Sequence, residues 1–384
     1  MELGSLTHNI SPCDLFSAPL TIVGGGIMGR LLALTLWEKG HRNLQIWDEE
    51  KSPLSSPNSP TPPSWIAGGM LSPMSEMESA APIITQLGLE SLELWPKILK
   101  IIDPEQKVYY RQRGSLVVAH RQDLPHLVHL RERIQYFFKS ELEGRLVPDF
   151  IPQAEILKLE PNLNPQFHQA LYLAQEAQVA SAEVMKALGA HFEKLSCAYP
   201  GKFQWVKKHF EFHHPPQEKL SVTFDCRGLS AKDLIPSLRG VRGEIITIKA
   251  PQVEISRPIR LMHPKFPVYI IPRADHHYLV GATMVENEGH HPISVQSTLE
   301  LLSAAYNVHR GFALGSLEEI HVSQRPTMPD ANPHVSSQLT SGPQSTKNLK
   351  ITINGLYRHG YLLAPSLAHR IVENLLKTEG EKRL

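Results

Sequence analysis

Between Leu20 and Asp48 the chain carries a glycine-rich turn framed by two apolar runs and a helical stripe, an order that few folds accommodate. Leu20-Thr21-Ile22-Val23 is short, apolar and partly β-branched, which suits a buried parallel strand. It leads directly into Gly24-Gly25-Gly26-Ile27-Met28-Gly29, which fits G-x-G-x-x-G. Met28, Leu31, Leu32, Thr35 and Leu36 then fall on one helical face, and Gly40 is placed to end that helix in a left-handed cap. Leu44-Gln45-Ile46-Trp47 reads as a second strand ending at Asp48. Each part has a physical role. Gly24 allows the tight turn, Gly26 lets a pyrophosphate approach the backbone, and Gly29 lets the helix lie close to the strand. The helix N-terminus offers free N–H groups to phosphates. Asp48, 24 residues after Gly24, is in position to accept hydrogen bonds from a ribose. The unit implies a dinucleotide and leaves NAD and FAD undecided.

A length of 384 residues exceeds a typical single core, so two domains are expected. Lys and Arg number 39 against 38 Asp and Glu, a balance that points to neither nucleic acid nor an anionic membrane. The three cysteines, Cys13, Cys197 and Cys226, are far apart and odd in number, which fits a reducing compartment rather than a disulfide framework. Residues 1–19 lack the basic start and apolar centre of a signal peptide. Glycines and Arg30 interrupt the apolar content after Leu20, so no membrane span is expected there. A cytoplasmic location follows as an expectation.

Residues 1–17 read as a loose leader, and Ser52 to Ser64, rich in Pro and Ser, as an exposed loop. Trp65-Ile66-Ala67-Gly68-Gly69-Met70-Leu71, small residues between large apolar ones, admits two readings: a tight packed turn, or a backbone lying against a planar ring. Helices are expected over Ile83–Ile102, Leu124–Phe138 and Ala182–Phe192, and a strand over Gly114–Ala119. His126 and His129 share a helix face without a third ligand, which suits surface histidines better than zinc. Ser221 to Gly228 reads as a late strand returning to the cofactor sheet. From Gly243 the pattern turns to antiparallel strands, Glu244–Lys249, Arg257–Met262, Val268–Ile271 and Tyr278–Thr283, then a helix Val295–His309. Gln324-Arg325-Pro326 leads into a Pro-rich loop. A last strand, Lys350–Ile353, precedes a closing helix that starts near Pro365. The expected class is α/β: a Rossmann-type cofactor domain in three pieces, 1–105, 165–242 and 320–384. An antiparallel α+β substrate domain is inserted as 106–164 and 243–319.

Several segments together resemble the D-amino-acid oxidase superfamily of flavoproteins, and within it the glycine oxidases of the thiamine pathway. They are Gly24 to Gly29, Ala67-Gly68-Gly69-Met70-Leu71-Ser72-Pro73, Tyr269-Ile270-Ile271-Pro272-Arg273 and Val280-Gly281-Ala282-Thr283-Met284. Arg325-Pro326 with Pro329-Asp330, and Tyr357-Arg358-His359-Gly360-Tyr361-Leu362-Leu363-Ala364-Pro365, complete the set in family order. The resemblance implies non-covalent FAD. It sets Ala67, Gly68, Gly69 and Met70 beside the isoalloxazine ring and makes Gly228 a cofactor contact. It also makes Gly355, Tyr357, His359, Gly360, Tyr361 and Leu362 the closing loop over the flavin, with a helix N-terminus towards the ring. Arg325 would hold a substrate carboxylate, with Tyr269, Met284 and Arg358 lining the pocket. The sequence departs from that pattern at Gly68, where alanine is usual, and at Leu356, where histidine is common. Asp225-Cys226-Arg227-Gly228 replaces an Ala-Ala-Gly type strand end, and Asp48 replaces a glutamate.

What the resemblance implies is oxidation of a small α-amino acid, glycine first, by hydride loss from Cα to flavin N5. The imine then hydrolyses or feeds thiamine synthesis, and oxygen is the acceptor. Positioning of a neutral amine replaces a protein general base, so no acid–base residue is named. The partners are a small amino acid and oxygen, with room for a homo-oligomer. The rivals are a secondary-amine oxidase of the sarcosine or proline kind, a dehydrogenase with another acceptor, and a flavin-binding interaction protein without turnover. Two arginines beside an apolar ring are costly without an anion, which speaks against the last.

Overall fold

The computed structural model describes residues 10–376 apart from 51, 55–61, 142–146, 211–218, 263–267, 287–288, 290 and 342–345. A six-stranded sheet is ordered His334–Ser341, Lys347–Asn354, Leu220–Asp225, Leu20–Val23, Leu44–Asp48, Phe203–Lys207. The first pair is antiparallel and every other neighbour parallel. The expected return of the 221–228 segment is seen in its register, with Ile22 opposite Phe224 and Val23 opposite Asp225. The helix Ile27–Glu38 follows the glycine turn. It ends as expected at Gly40, φ +97°, where the Gly40 and His41 N–H groups donate to Trp37 and Leu36 carbonyls in a Schellman closure.

The second sheet has eight strands, ordered Ser316–Thr327, Arg239–Lys249, His277–Gly281, Val268–Pro272, Ile259–Met262, Ser115–Ala119, Gln169–Leu173, Phe150–Pro152. Only the pairing of Ile259–Met262 with Ser115–Ala119 is parallel. Strand alternation gives this sheet two apolar faces. Leu116, Val118, Ile259 and Leu261 pack beneath the helix Val295–Val308, against Leu301, Ala304, Ala305 and Val308. Val117, Ala119, Leu171 and Leu173 point the other way, into the core that holds Ile22, Leu31, Leu32 and Leu363. Gln169–Leu173 thus joins the larger sheet although it lies in the expected cofactor piece 165–242. We propose the two-part division with that strand, and the whole of Arg239–Lys249 and Ser316–Thr327, which cross the expected boundaries, placed in the substrate part.

Four expectations change. The leader holds a helix, Pro12–Ser17, because the Ser11 side chain accepts the Asp14 N–H at 3.1 Å and Pro12 fits a first turn; residues 1–9 lie outside the described residues. The Ser52–Ser64 stretch, largely outside them too, ends in a short helix, Pro63–Ile66, again with proline in the first turn. Gln324-Arg325-Pro326 belongs to the strand Ser316–Thr327 rather than a loop. Proline is tolerated there because that strand is the sheet's edge.

The closing helix runs Gly360–Leu376, with Pro365 inside it. Proline at that position leaves the Tyr361 carbonyl without its helical donor, and the buried Trp95 indole N–H supplies one at 3.0 Å. Trp95→Phe removes that donor, and its smaller ring also leaves part of a fully buried site unfilled. It should lower stability by about 1–3 kcal/mol, read as a shifted urea midpoint at unchanged m. Among the described residues no helix is long and apolar enough to cross a membrane. His126 and His129 are exposed, and no His, Cys, Asp and Glu cluster there could hold a metal.

Candidate active site

A cavity of ≈ 600 Å³ runs from the glycine turn, beneath the small-residue segment, to Arg325 and Arg358 at the eight-stranded sheet. At the first end, Gly24 has φ +105°, and a Cβ there would stand 2.5 Å from the Cys226 carbonyl oxygen. A Cβ on Gly29 would stand 2.0 Å from the Gly24 oxygen, so helix and turn are in backbone contact. Gly26 meets only the Ser64 hydroxyl, at 3.3 Å, and faces the cavity, where any side chain would occupy a pyrophosphate's space. The Asp48 carboxylate accepts the Gly25 N–H at 2.5 Å and the Glu50 N–H at 2.9 Å, so it fastens the turn as well as facing the cavity. Buried Arg30 does the same from behind, donating to the Gly25 carbonyl at 2.7 Å and to those of Pro53 and Met185 at 2.9 and 3.2 Å. Its burial lowers its pKa to about 10 despite Asp48 nearby.

The small-residue segment is tightly packed and also borders the cavity. Gly69, φ +61°, touches the Val179 carbonyl so closely that a Cβ would stand 1.8 Å away, while Ala67, Gly68, Gly69 and Met70 all line the cavity. Ser181 Oγ donates to the Ala67 carbonyl, and Arg273 Nη2 to that of Gly68, each at 2.6 Å. Tyr361 Oη donates to the Ser64 carbonyl at 2.6 Å, and Ser64 Oγ accepts the Ile27 N–H at 3.1 Å, linking the closing helix to the dinucleotide helix. In the Asp225-Cys226-Arg227 departure, Arg227 forks onto buried Asp225 with both contacts at 2.9 Å and also meets Asp233 at 2.9 Å. Gly228 has φ +58°. Its carbonyl accepts Asn354 Nδ2 at 2.9 Å, and Asn354 Oδ1 accepts the Gly355 N–H at 2.8 Å. Tyr357, Gly360 and Tyr361 line the cavity, whereas Gly29, Gly355, His359 and Leu362 lie behind its wall.

At the far end the two arginines differ. Arg325, on the edge strand, lies against Gly243, where a Cβ would stand 2.0 Å from Nη2. Its Nη1 donates to the Thr283 carbonyl at 3.0 Å. Thr283 is fixed in turn: its hydroxyl donates to Glu244 at 2.9 Å, and Arg242 holds that carboxylate at 2.7 Å. Among the described residues no carboxylate pairs with Arg325, and burial holds its pKa down to about 10. Arg358 instead meets buried Glu76 at 2.7 Å, with Ser79 Oγ accepting from Nη2 at 2.9 Å. Met284 Sδ accepts from Tyr357 Oη at 3.1 Å and Arg358 Nη1 at 3.4 Å. Tyr269 Oη donates to Glu76 at 2.6 Å, which draws that expected substrate contact into the same cluster.

Burial alone would raise the Glu76 carboxyl, but Arg358 foremost, with His359 and Arg260, holds it at about 2. His359 sits 3.7 Å from Glu76, and burial brings it down to about 4 from an ordinary 6.5. The unfolded chain therefore binds a proton at His359 more readily than the folded one. Its stabilisation is complete above 6.5 and fades as pH falls towards 4, amounting to about 2 kcal/mol between pH 7.5 and 5. Glu76 adds a loss in the same direction only below its ordinary 4.5. Urea midpoints taken across this range should decline towards acid, and His359→Gln should flatten the decline.

Glu76, Ser64, Gly243 and Arg273 carried no local signal. Glu76 is one acid in a polar run, and only a partner far along the chain, Arg358, gives it meaning. Arg273 lay within a quoted motif without an assigned task.

The model of the DAO family, described as FAD dependent oxidoreductase, matches residues 20–374. A Rhizobium etli protein described as a thiamine biosynthesis oxidoreductase, ThiO, is 31% identical over 366 residues, covering 94% of this chain and 98% of its own. Among solved structures, glycine oxidase from Geobacillus kaustophilus superposes with a TM-score of 0.72 at 20% identity, covering 94% of this chain and 95% of that one. Iminodiacetate oxidase from Chelativorans sp. BNC1 gives 0.70 at 20% identity, covering 91% and 93%. The glycine turn, the open face at Gly26 and a cavity lined by both the turn and the 67–70 segment all fit FAD. With the family model spanning nearly the whole described chain, this protein belongs to the DAO family of FAD-dependent oxidoreductases.

Proposed function

We propose that this chain oxidises a small α-amino acid, glycine first, to its imine, with oxygen as electron acceptor, and that glycine imine serves thiamine biosynthesis. The names of the Rhizobium etli relative and of the Geobacillus glycine oxidase support this reading. The observation that carries it is Arg325: a guanidinium on the cavity wall, on a rigid strand, with one bond to a carbonyl and no carboxylate partner among the described residues.

When bound, FAD supplies a two-electron acceptor for the hydride that leaves Cα. The chain's residues bind and orient. Gly24, Gly26, Asp48, the 67–70 segment, Gly228, Tyr357, Gly360 and Tyr361 would hold the cofactor. Arg325 meets a carboxylate through two parallel hydrogen bonds and fixes its rotation. Met284 and Tyr357 close the pocket beside it. Glu76 is held ionised with its partners in place, so it is too weak a base for the substrate's ammonium. The amine enters neutral, and alignment does the rest.

The test is anaerobic reduction of the flavin by a panel of amino acids, followed by air. Glycine or another small primary amino acid should bleach the flavin fastest, and air should restore it with peroxide formed. Faster bleaching by sarcosine or proline would make the protein a secondary-amine oxidase. Bleaching without peroxide in air would make it a dehydrogenase.

A further inference from the structure

Of the two arginines at the eight-stranded-sheet end of the cavity, Arg358 is neutralised and Arg325 is not, and the neutralising group is a buried carboxylate that also faces the cavity. We propose that Glu76 sets the charge preference for substrate: by engaging Arg358 it leaves Arg325 as the anion anchor and turns away substrates that carry a second carboxylate. This rests on the reading of the substrate as an amino acid.

Three observations support it. Glu76 is locked from two sides, by Arg358 at 2.7 Å and by the Tyr269 hydroxyl at 2.6 Å. It therefore cannot swing away to release Arg358 at small cost. Glu76 is only 6% exposed. A second carboxylate reaching Arg358 would thus approach a fixed negative charge where water screens little. Arg358 also lines the cavity with its Nη1 on a weak acceptor, Met284 Sδ at 3.4 Å, so it has a donor to offer once its charge is no longer cancelled. Glu76 acts here as a positioning residue: it works through Arg358 and touches no reacting atom.

Two compounds isolate the second carboxylate, and comparing their ratio between variants cancels their difference in size. Iminodiacetate and N-ethylglycine share the amine and one carboxylate, and differ mainly in the second carboxylate. The native holoenzyme should favour N-ethylglycine in kcat/KM. Glu76→Gln, which keeps shape and removes the charge, should raise the iminodiacetate to N-ethylglycine ratio at least tenfold, chiefly through KM. Adding Arg358→Met to that variant should cancel the gain. An unchanged ratio in Glu76→Gln with FAD retained overturns the proposal, as does a gain that survives Arg358→Met. Should Glu76→Gln not retain FAD, Glu76→Asp withdraws the carboxylate by one methylene; it should raise the ratio at least threefold, and no rise overturns the idea. Calorimetric binding of succinate and butyrate to the same holoproteins separates the two readings. A Glu76→Gln gain for succinate with no amino acid oxidised would sink the proposed function and keep the charge rule. Oxidation of amino acids with no gain for succinate would do the reverse.

Discussion

Arg325→Met is expected to cost a carboxylate substrate about 2–5 kcal/mol, the loss that follows when one partner of a desolvated charged pair is removed. The substrate dissociation constant should rise on that scale, and the limiting rate of flavin reduction should fall because rotation is no longer fixed. Arg325→Lys keeps the charge without the fork, so its loss should appear mainly in the limiting rate. Both variants should keep FAD, since the dinucleotide contacts lie on other segments. Arg358→Met should weaken a monocarboxylate far less, because Glu76 already cancels Arg358's charge. Stopped-flow reduction across a substrate titration gives both constants. If Arg325→Met leaves them near normal while Arg358→Met abolishes binding, Arg358 is the anchor.

Gly29→Ala should produce a protein without FAD. Two backbone segments meet there, and the added methyl would stand 2.0 Å from the Gly24 oxygen. Neither atom belongs to a side chain that can turn aside, so the helix Ile27–Glu38 must lift off the turn. Overpacking of this kind costs about 1–3 kcal/mol and sometimes more, and it displaces the N–H groups that would meet the cofactor's phosphates. The purified variant should lack the yellow flavin bands and melt lower than the native apoprotein. In the native protein, acid precipitation should leave FAD in the supernatant. Full flavin content in the Gly29→Ala variant would show that the close approach is not required.

The dinucleotide unit was legible because each part is local: the strand, the glycines, the helix stop and Asp48 follow one another within a short span. The antiparallel strands from Arg239 to Gly281 were legible from their turns. The misplaced elements share a different cause. Pro365 reads as a helix start unless Trp95 is known to be opposite the carbonyl it leaves unpaired, and Trp95 is distant in the chain. Pro326 reads as a loop unless its strand is known to be an edge. Glu76 and Arg358 are likewise joined only by tertiary structure. The family motifs set Arg325 forward as the carboxylate anchor with Arg358 in the pocket wall, and the fold adds Glu76 as the partner of Arg358.

The two faces of the eight-stranded sheet bear on how such a protein can be altered. Val117, Ala119, Leu171 and Leu173 are part of the same packed interior as Ile22 and Leu363, so the two sheets are not modules on a hinge. Exchange of the catalytic half between relatives would have to carry those four side chains, or their complements, across the junction. A graft cut at the chain crossings alone would leave mismatched volumes in the interior that supports the glycine turn. Diversification of substrate in this architecture is therefore confined to the strand ends and the residues facing the cavity, while the strand interiors stay coupled to cofactor retention.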